Sequence, residues 1–378
     1  MLFHLFFEWK DVFTPLNVFR YPSFRVLVAM LTALSVTYFL YPWFIRRLKE
    51  RQIGQVIREE LEDQHGQKAK TPTMGGILLV IAVLVSSLLW SDLRNPLVWG
   101  ALLVMLGLAI VGFIDDAMKL GPRGVRGLSA RGKLVLQFGI SGLVFAGLLY
   151  GSDAMDSTLY LPFVAPERFH WVLPAWLYVT FGAFVVAGTS NAVNLTDGLD
   201  GLAIGPVIVA AGTLGLLAYA SATILGYSTE IDGQTVWTSF HMAHYLKLPQ
   251  VPGAQELAIF CAAIVGAGIG FLWYNAPPAQ IFMGDVGSLA LGGALGVVAV
   301  LTKNEFLSVI ILGLFVVEIF SVMIQVAYFK ATGKRILLMA PIHHHFQKKG
   351  WAEPLIVIRF WILSILLSLA ALASLKLR

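Results

Sequence analysis

The sequence predicts an all-α protein that crosses a lipid bilayer about ten times, and three observations carry that expectation. Hydrophobic residues fill 57% of the 378 positions and charged residues only 13%, where a soluble domain carries roughly 25% charged. The apolar residues fall in blocks of about twenty, the length a helix needs to cross a hydrocarbon core of about 30 Å. Lysine and arginine crowd into alternate gaps between those blocks, the pattern that fixes membrane topology.

In chain order, residues 1–24 ("MLFHLFFEWKDVFTPLNVFRYPSF") lack a basic n-region and a small-residue cleavage site. Their aromatics suit a segment lying in the bilayer surface. Spans are then expected at 25–45, 74–91, 96–114, 133–151, 173–192, 201–222, 256–274, 286–302, 306–329 and 355–375. No internal repeat or low-complexity tract divides them, so residues 1–378 read as a single integral domain. The lone cysteine, Cys261, lies in "IFCAAIVGAG", which excludes a disulfide framework or zinc signature and makes it a packing residue. The glycine run "GAGIGF" (266–271) sits inside a span, where it allows close helix approach. No Walker A pattern occurs, so ATP-driven pumping is unsupported. The net charge of +5 is assigned to topology and anionic headgroups rather than to nucleic acid.

Orientation follows from counting. The gaps 46–73, 115–132 and 330–354 hold seven, four and five basic residues, whereas the gaps holding Arg94, Arg168, Lys247 and Lys303 hold one each. The first set, with 193–200 and 275–285, is therefore expected in the cytoplasm, and both termini and the long loop 223–255 in the periplasm.

The unusual polar residues all fall on that cytoplasmic side. Asp115 and Asp116 end the third span in "GFIDDAMK", where they oppose the negative end of the helix dipole and repel one another unless a cation lies between them. Asn194, Asp197 and Asp200 follow the fifth span in "NLTDGLDGLAIG", which also reads as a turn with capping side chains. Asn275 ends the seventh span, and Phe282, Gly284 and Asp285 follow in "IFMGDVGS". His343, His344 and His345 lie beyond the ninth, beside Lys348 and Lys349. Consecutive histidines point in different directions, so they suit a phosphate-rich ligand better than zinc. Aspartate oxygens without a thiol nearby favour magnesium or manganese, and with lysines around them they imply phosphoryl transfer. Glu318, with Gln325 seven residues on, is the mid-span acid from which a proton-coupled transporter reading would start.

Five stretches together resemble one family: "KAKTPTMGG" (68–76), "GFIDDAMK" (112–119), "NAVNLTDGLDGLA" (191–203), "NAPPAQIFMGDVGSLALGG" (275–293) and "APIHHHFQKKGW" (340–351). The chain is similar, nearly end to end, to the phospho-N-acetylmuramoyl-pentapeptide transferases of peptidoglycan synthesis. They lie within the polyprenyl-phosphate sugar-1-phosphate transferases. The resemblance implies a ten-helix, dimeric, magnesium-dependent enzyme of the bacterial inner membrane. It would move the phospho-sugar of UDP-N-acetylmuramoyl-pentapeptide onto undecaprenyl phosphate, giving lipid I and UMP. It further implies Asp285 as magnesium ligand, Asp115 and Asp116 near the metal and lipid phosphate with one acting as base, and His343 as a catalytic imidazole. Asn194, Asp197, Asp200, Asn275, Phe282 and Gly284 would serve the nucleoside and its surroundings. Lys68, Lys70, Lys119 and Lys133 would face the pyrophosphate and His344 and His345 the donor sugar, with Gln325 a further substrate-binding residue. The alternatives are a sister transferase using UDP-N-acetylglucosamine and, from another class, the transporter. Loop 223–255 is long for the family and is expected to bear little on catalysis.

Overall fold

The protein is described by a computed structural model covering residues 1–9, 13–51, 71–120, 127–231 and 234–377. Helix α1 (Leu2–Glu8) and a 3-10 turn (Thr14–Arg20) precede α2 (Pro22–Glu50), α3 (Gly76–Trp90), α4 (Pro96–Lys119), α5 (Ala130–Gly151), α6 (Ala175–Thr196) and α7 (Ile204–Ala222). There follow α8 (Met242–Leu246), α9 (Gln255–Asn275), α10 (Gly284–Leu301), α11 (Glu305–Ile311), α12 (Gly313–Thr332), α13 (Ile342–Lys348) and α14 (Glu353–Ser374). Among the described residues nine helices are long and apolar enough to cross a membrane, and α3 is a shorter apolar helix. The chain is a multi-pass helical membrane protein, and every expected span falls on a helix.

Three local departures have physical causes. Helix α3 has 15 residues, short for a span, because the chain before it is used otherwise. Gly75 N donates to Phe282 O and Gly76 N to Met283 O, both at 2.8 Å, and Phe282 N donates to Pro72 O at 2.9 Å. Residues 72–76 are thus zipped to the loop that carries Asp285. The ninth span is broken at Leu312, between α11 and α12; the ladder resumes at once with Val316 N on Leu312 O at 3.0 Å. Loop 223–255 contains an antiparallel hairpin of β3 (Ile224–Ile231) and β4 (Gln234–His241), preceded in the chain by a minor pair, β1 (Thr158–Leu159) and β2 (Trp171–Val172). Alternating β-branched and aromatic residues around Asp232–Gly233 carry a hairpin signal.

Helix α10 is the central post. Every residue from Val286 to Leu301 is buried, against α4 on one side and α6 on the other, while α9 fills the space between α2 and α7. Lipid gives helices no hydrophobic reason to associate, so close approach through small residues has to do it. A Cβ at Gly266, in the glycine run, would strike the carbonyl of Met30, and one at Gly112 would strike the carbonyl of Asp285. Cys261 is buried in this packing, as expected.

At the end of the bundle away from the aspartates, Arg25 and Glu256 form a sealed, matched pair, and a second group around Lys303 is partly open. Arg25 forks onto Glu256 through two bonds of 2.8 and 2.7 Å; Glu256 also accepts from Asp92 N at 2.7 Å. Nearby on that side, the Lys303 ammonium is 2.9 Å from Asp156 and donates to the Tyr178 hydroxyl at 2.9 Å. Tyr178 in turn donates to Glu305 at 2.5 Å.

Candidate active site

Asp115 and Asp116 lie in the last turns of α4, which runs on to Lys119 rather than stopping at 114. The continuation places Lys119 four residues beyond Asp115, on its face of the helix, and their ion pair spans 2.6 Å. Lys133, near the start of α5, donates to Asp115 at 2.9 Å and to Asp285 at 2.8 Å; Lys119 donates to Asp285 at 3.0 Å. The second oxygen of Asp115 accepts from Leu128 N at 2.6 Å.

Asp285 stands at the first turn of α10, where the helix dipole favours negative charge. Its other oxygen accepts from Asn194 at 2.9 Å, and Asn194 also donates to Ser288 at 2.8 Å. The turn into α10 needs glycine: Gly284 has φ +73°, and a Cβ there would sit 2.7 Å from Asp116 Oδ2. Asp116 Oδ2 accepts from Val286 N at 3.2 Å. Asp115, Asp116 and Asp285 each bring one oxygen within 4.8 Å of the others. Three carboxylates thus converge with two ammonium groups. A donor set of carboxylate oxygens only, one negative charge in excess, fits a hard divalent cation.

Asp197 caps α6 beside this cluster. Burial first, then the carboxylates of Asp285, Asp116 and Asp200, push its carboxyl up to about 8. Asp200 and Asn275 are occupied with backbone: Asp200 accepts from Ala279 N at 3.1 Å, and Asn275 accepts from Gly201 N at 3.0 Å while donating to Ile281 O at 2.9 Å. They lock the 197–203 turn to the 276–283 loop, and Phe282 hangs half-buried from that loop.

The histidines form a separate flank. His343 is fully buried and its Nδ1 meets both oxygens of Glu318 at 3.1 Å. Among the described residues its Nε2 has no partner, and it faces Gly198, where a Cβ would collide with it. The His344 ring lies 4.1 Å from that of His343. Gln325 and His345 hold a loop: Gln325 accepts from Ile336 N and Leu337 N at 3.1 and 3.0 Å, and His345 from Leu338 N at 3.1 Å. Lys68 and Lys70 lie outside the described residues.

The structure therefore joins Asp115, Asp116, Asp285, Lys119, Lys133 and Asn194 directly, and sets His343 and His344 against the turn that carries Asp197. Sequence reasoning did not place Glu318 in this group. The signal was present, since a mid-span acid needs a partner, but the partner stands 25 residues away. Ser288, and the chain Asn191–Gln137–Ser190 that ties α6 to α5 (2.7 and 3.1 Å), carried no motif at all.

Residues 98–303 match the model of Glycosyl transferase family 4, and residues 68–80 match phospho-N-acetylmuramoyl-pentapeptide-transferase signature 1. A phospho-N-acetylmuramoyl-pentapeptide-transferase of Sorangium cellulosum is 51% identical over 388 residues, covering 100% of both chains. Proteins of the same name from Desulfatibacillum aliphaticivorans and Syntrophus aciditrophicus are 51% and 49% identical, again with 100% of each chain covered.

Proposed function

The chain belongs to the phospho-N-acetylmuramoyl-pentapeptide-transferase family, and from that premise we propose that it makes lipid I at the inner face of the bacterial inner membrane. It is a transferase that takes phospho-N-acetylmuramoyl-pentapeptide from its UDP donor to undecaprenyl phosphate and releases UMP. The observation that carries this reading is the convergence of Asp115, Asp116 and Asp285 with Lys119 and Lys133 at one end of the bundle.

The phosphorus bonded to the sugar exchanges its oxygen bridge to UMP for a bridge to the lipid phosphate. Lys119 and Lys133 place two positive charges where the phosphate oxygens gain negative charge. Asp115 or Asp116 takes any proton the lipid phosphate brings. Asn194 fixes the rotamer of Asp285. The Glu318 carboxylate holds the Nδ1 proton of His343 and leaves Nε2 free beside Gly198. Magnesium would be held by Asp285 with the Asp115–Asp116 pair beside it, and when bound it neutralises phosphate charge. Asp197, Asn194, Phe282 and Gly284 are the residues proposed to receive the nucleoside, with Asn275 holding the loop that carries Phe282 and Gly284.

The clustering of lysine and arginine in gaps on the site side supports a cytoplasmic site, with both termini outside. A single integral domain assembling as a homodimer completes the proposal. The full-length match to transferases speaks against the transporter that Glu318 alone would have allowed. An assay of UMP release and labelled lipid product, run with UDP-N-acetylmuramoyl-pentapeptide and with UDP-N-acetylglucosamine, tests the reading. Turnover with the muramoyl donor is expected, and turnover with the glucosamine donor alone would overturn it.

A further inference from the structure

Helix α13 ends in a cationic tip that the reaction above does not use. Lys348 and Lys349 are both exposed, as is Gly350 after them, which turns the chain with φ +86°. Among the described residues neither ammonium takes part in a salt bridge. The nearest acid in sequence, Glu353, accepts from Gln347 at 3.0 Å, and Gln347 meets His344 at 2.6 Å.

The tip is rigid. Lys349 N donates to His345 O and Phe346 O, each at 3.1 Å, and Gly350 N donates to Gln347 O at 2.8 Å. Phe346 stacks on Trp351 at 4.5 Å, and the Arg359 guanidinium sits 4.4 Å from the Trp351 ring centre. Two ammonium groups are thus presented on a braced hook.

The hook is built for a water-borne anion. No large apolar side chain is exposed between Leu338 and Leu355 among the described residues. By contrast, Lys334 and Arg335 are followed by Ile336 and Leu338, each 52% exposed, and such interleaving suits headgroup level. Lys348 also follows His344 by four residues, so it shares that face of α13 about 6 Å further along the axis. His344 leans on Gly198, next to Asp197.

A muramoyl-pentapeptide is joined through the amino end of its peptide, so at least its terminal carboxylate is free. We infer that Lys348 and Lys349 form the donor-peptide subsite, binding the carboxylates of the pentapeptide while the nucleotide end occupies the aspartate cluster. This rests on the family reading above.

The test uses the full-length protein in phosphatidylcholine nanodiscs and measures UMP release with two donors. One is UDP-N-acetylmuramoyl-pentapeptide, and the other is the same molecule with its peptide carboxylates converted to amides. The double variant Lys348→Glu/Lys349→Glu should raise KM for the native donor about tenfold at unchanged kcat, the scale of two partly screened charge contacts. KM for the amidated donor should not move, and Lys348→Arg/Lys349→Arg should behave as wild type. Equal rises for both donors, or no rise for either, would overturn the subsite. So would an effect seen only in vesicles with anionic lipid, which would make the tip a headgroup contact. A wild-type protein that releases no UMP from the native donor would sink the family reading and the subsite with it.

Discussion

Two charge clusters at opposite ends of this bundle bury charge in opposite ways. At one end Arg25 and Glu256 meet fork to fork with side chains 3% and 5% exposed, one charge against one. At the other, three carboxylates meet two ammonium groups, and Lys119 is 46% exposed. A matched, sealed pair fastens α2 to α9 and leaves nothing for a ligand to do. An unmatched cluster that water can reach retains charge that only a ligand can complete. Between the Arg25–Glu256 pair and the aspartate cluster, burial and charge alone do not make the difference; stoichiometry and access do.

The largest expected effect falls on the unmatched end. Asp285→Asn keeps the shape and the bond to Asn194 but removes one of the converging charges. Turnover should fall at least about 10³-fold, with the thermal midpoint somewhat below that of wild type, because Lys119 and Lys133 each lose a carboxylate partner. UMP release measured beside thermal unfolding checks both halves. Activity within a few-fold of wild type would show that the cluster is merely a second structural clamp.

Arg25→Ala probes the matched end. Removing one partner leaves Glu256 buried and uncompensated, a loss of about 3–5 kcal/mol in stability. The fraction that stays folded should turn over with unaltered KM. Replacing both partners, as Arg25→Met with Glu256→Leu, should recover much of the stability. A double variant as unstable as the single one would mean that the pair does more than satisfy itself.

These contrasts also mark what the sequence could say. Hydropathy placed the ten membrane spans because lipid permits few other solutions, though not the short helices α1, α8 and α13, and the one-sided placement of Asp115, Asp197, Asp285 and His343 was readable from alternation of the loops. What joins them was not. The zipper between 72–76 and 282–283 is backbone on backbone and leaves no side-chain signature beyond its glycines. Asp200 and Asn275 look the same in sequence whether they hold a ligand or a loop. Helix α4 extends past 114 with Lys119 pairing locally to Asp115, while the second ammonium, Lys133, comes from α5 and is invisible to a local reading. Glu318 was legible as costly but not as the partner of His343, since that depends on how α12 and α13 fold back on one another.

Glu318 sharpens the comparison, because here a matched buried pair belongs to the unmatched end. Glu318→Gln replaces an ionic acceptor at Nδ1 with a neutral amide of the same shape. A drop in kcat of about 10- to 100-fold with KM little changed is expected for a lost orienting partner, together with a shifted pH–rate profile. A fall in stability with an unmoved pH profile would class the pair with Arg25 and Glu256 as a clamp.

The smallest effect concerns Asp197, whose carboxyl is pushed up to about 8 by burial and by its neighbours Asp285, Asp116 and Asp200. The unfolded value lies near 3.8, so the folded state holds a proton that the unfolded chain gives up. The group's contribution to stability is complete below about pH 4 and is lost as pH rises to 8. Thermal midpoints measured with a chelator present should therefore decline over that range more steeply in wild type than in Asp197→Asn, whose amide cannot ionise. Around pH 7 and below the folded state already carries the neutral acid, so there the amide variant departs from wild type only through the unfolded chain. The two curves should diverge most above pH 8, with the variant the more stable. Adding magnesium should narrow the gap, since a cation among the carboxylates relieves the repulsion that raises Asp197. If the curves stay parallel from pH 5 to 9, the excess negative charge does not extend as far as the α6 cap. The unmatched region would then be confined to Asp115, Asp116 and Asp285.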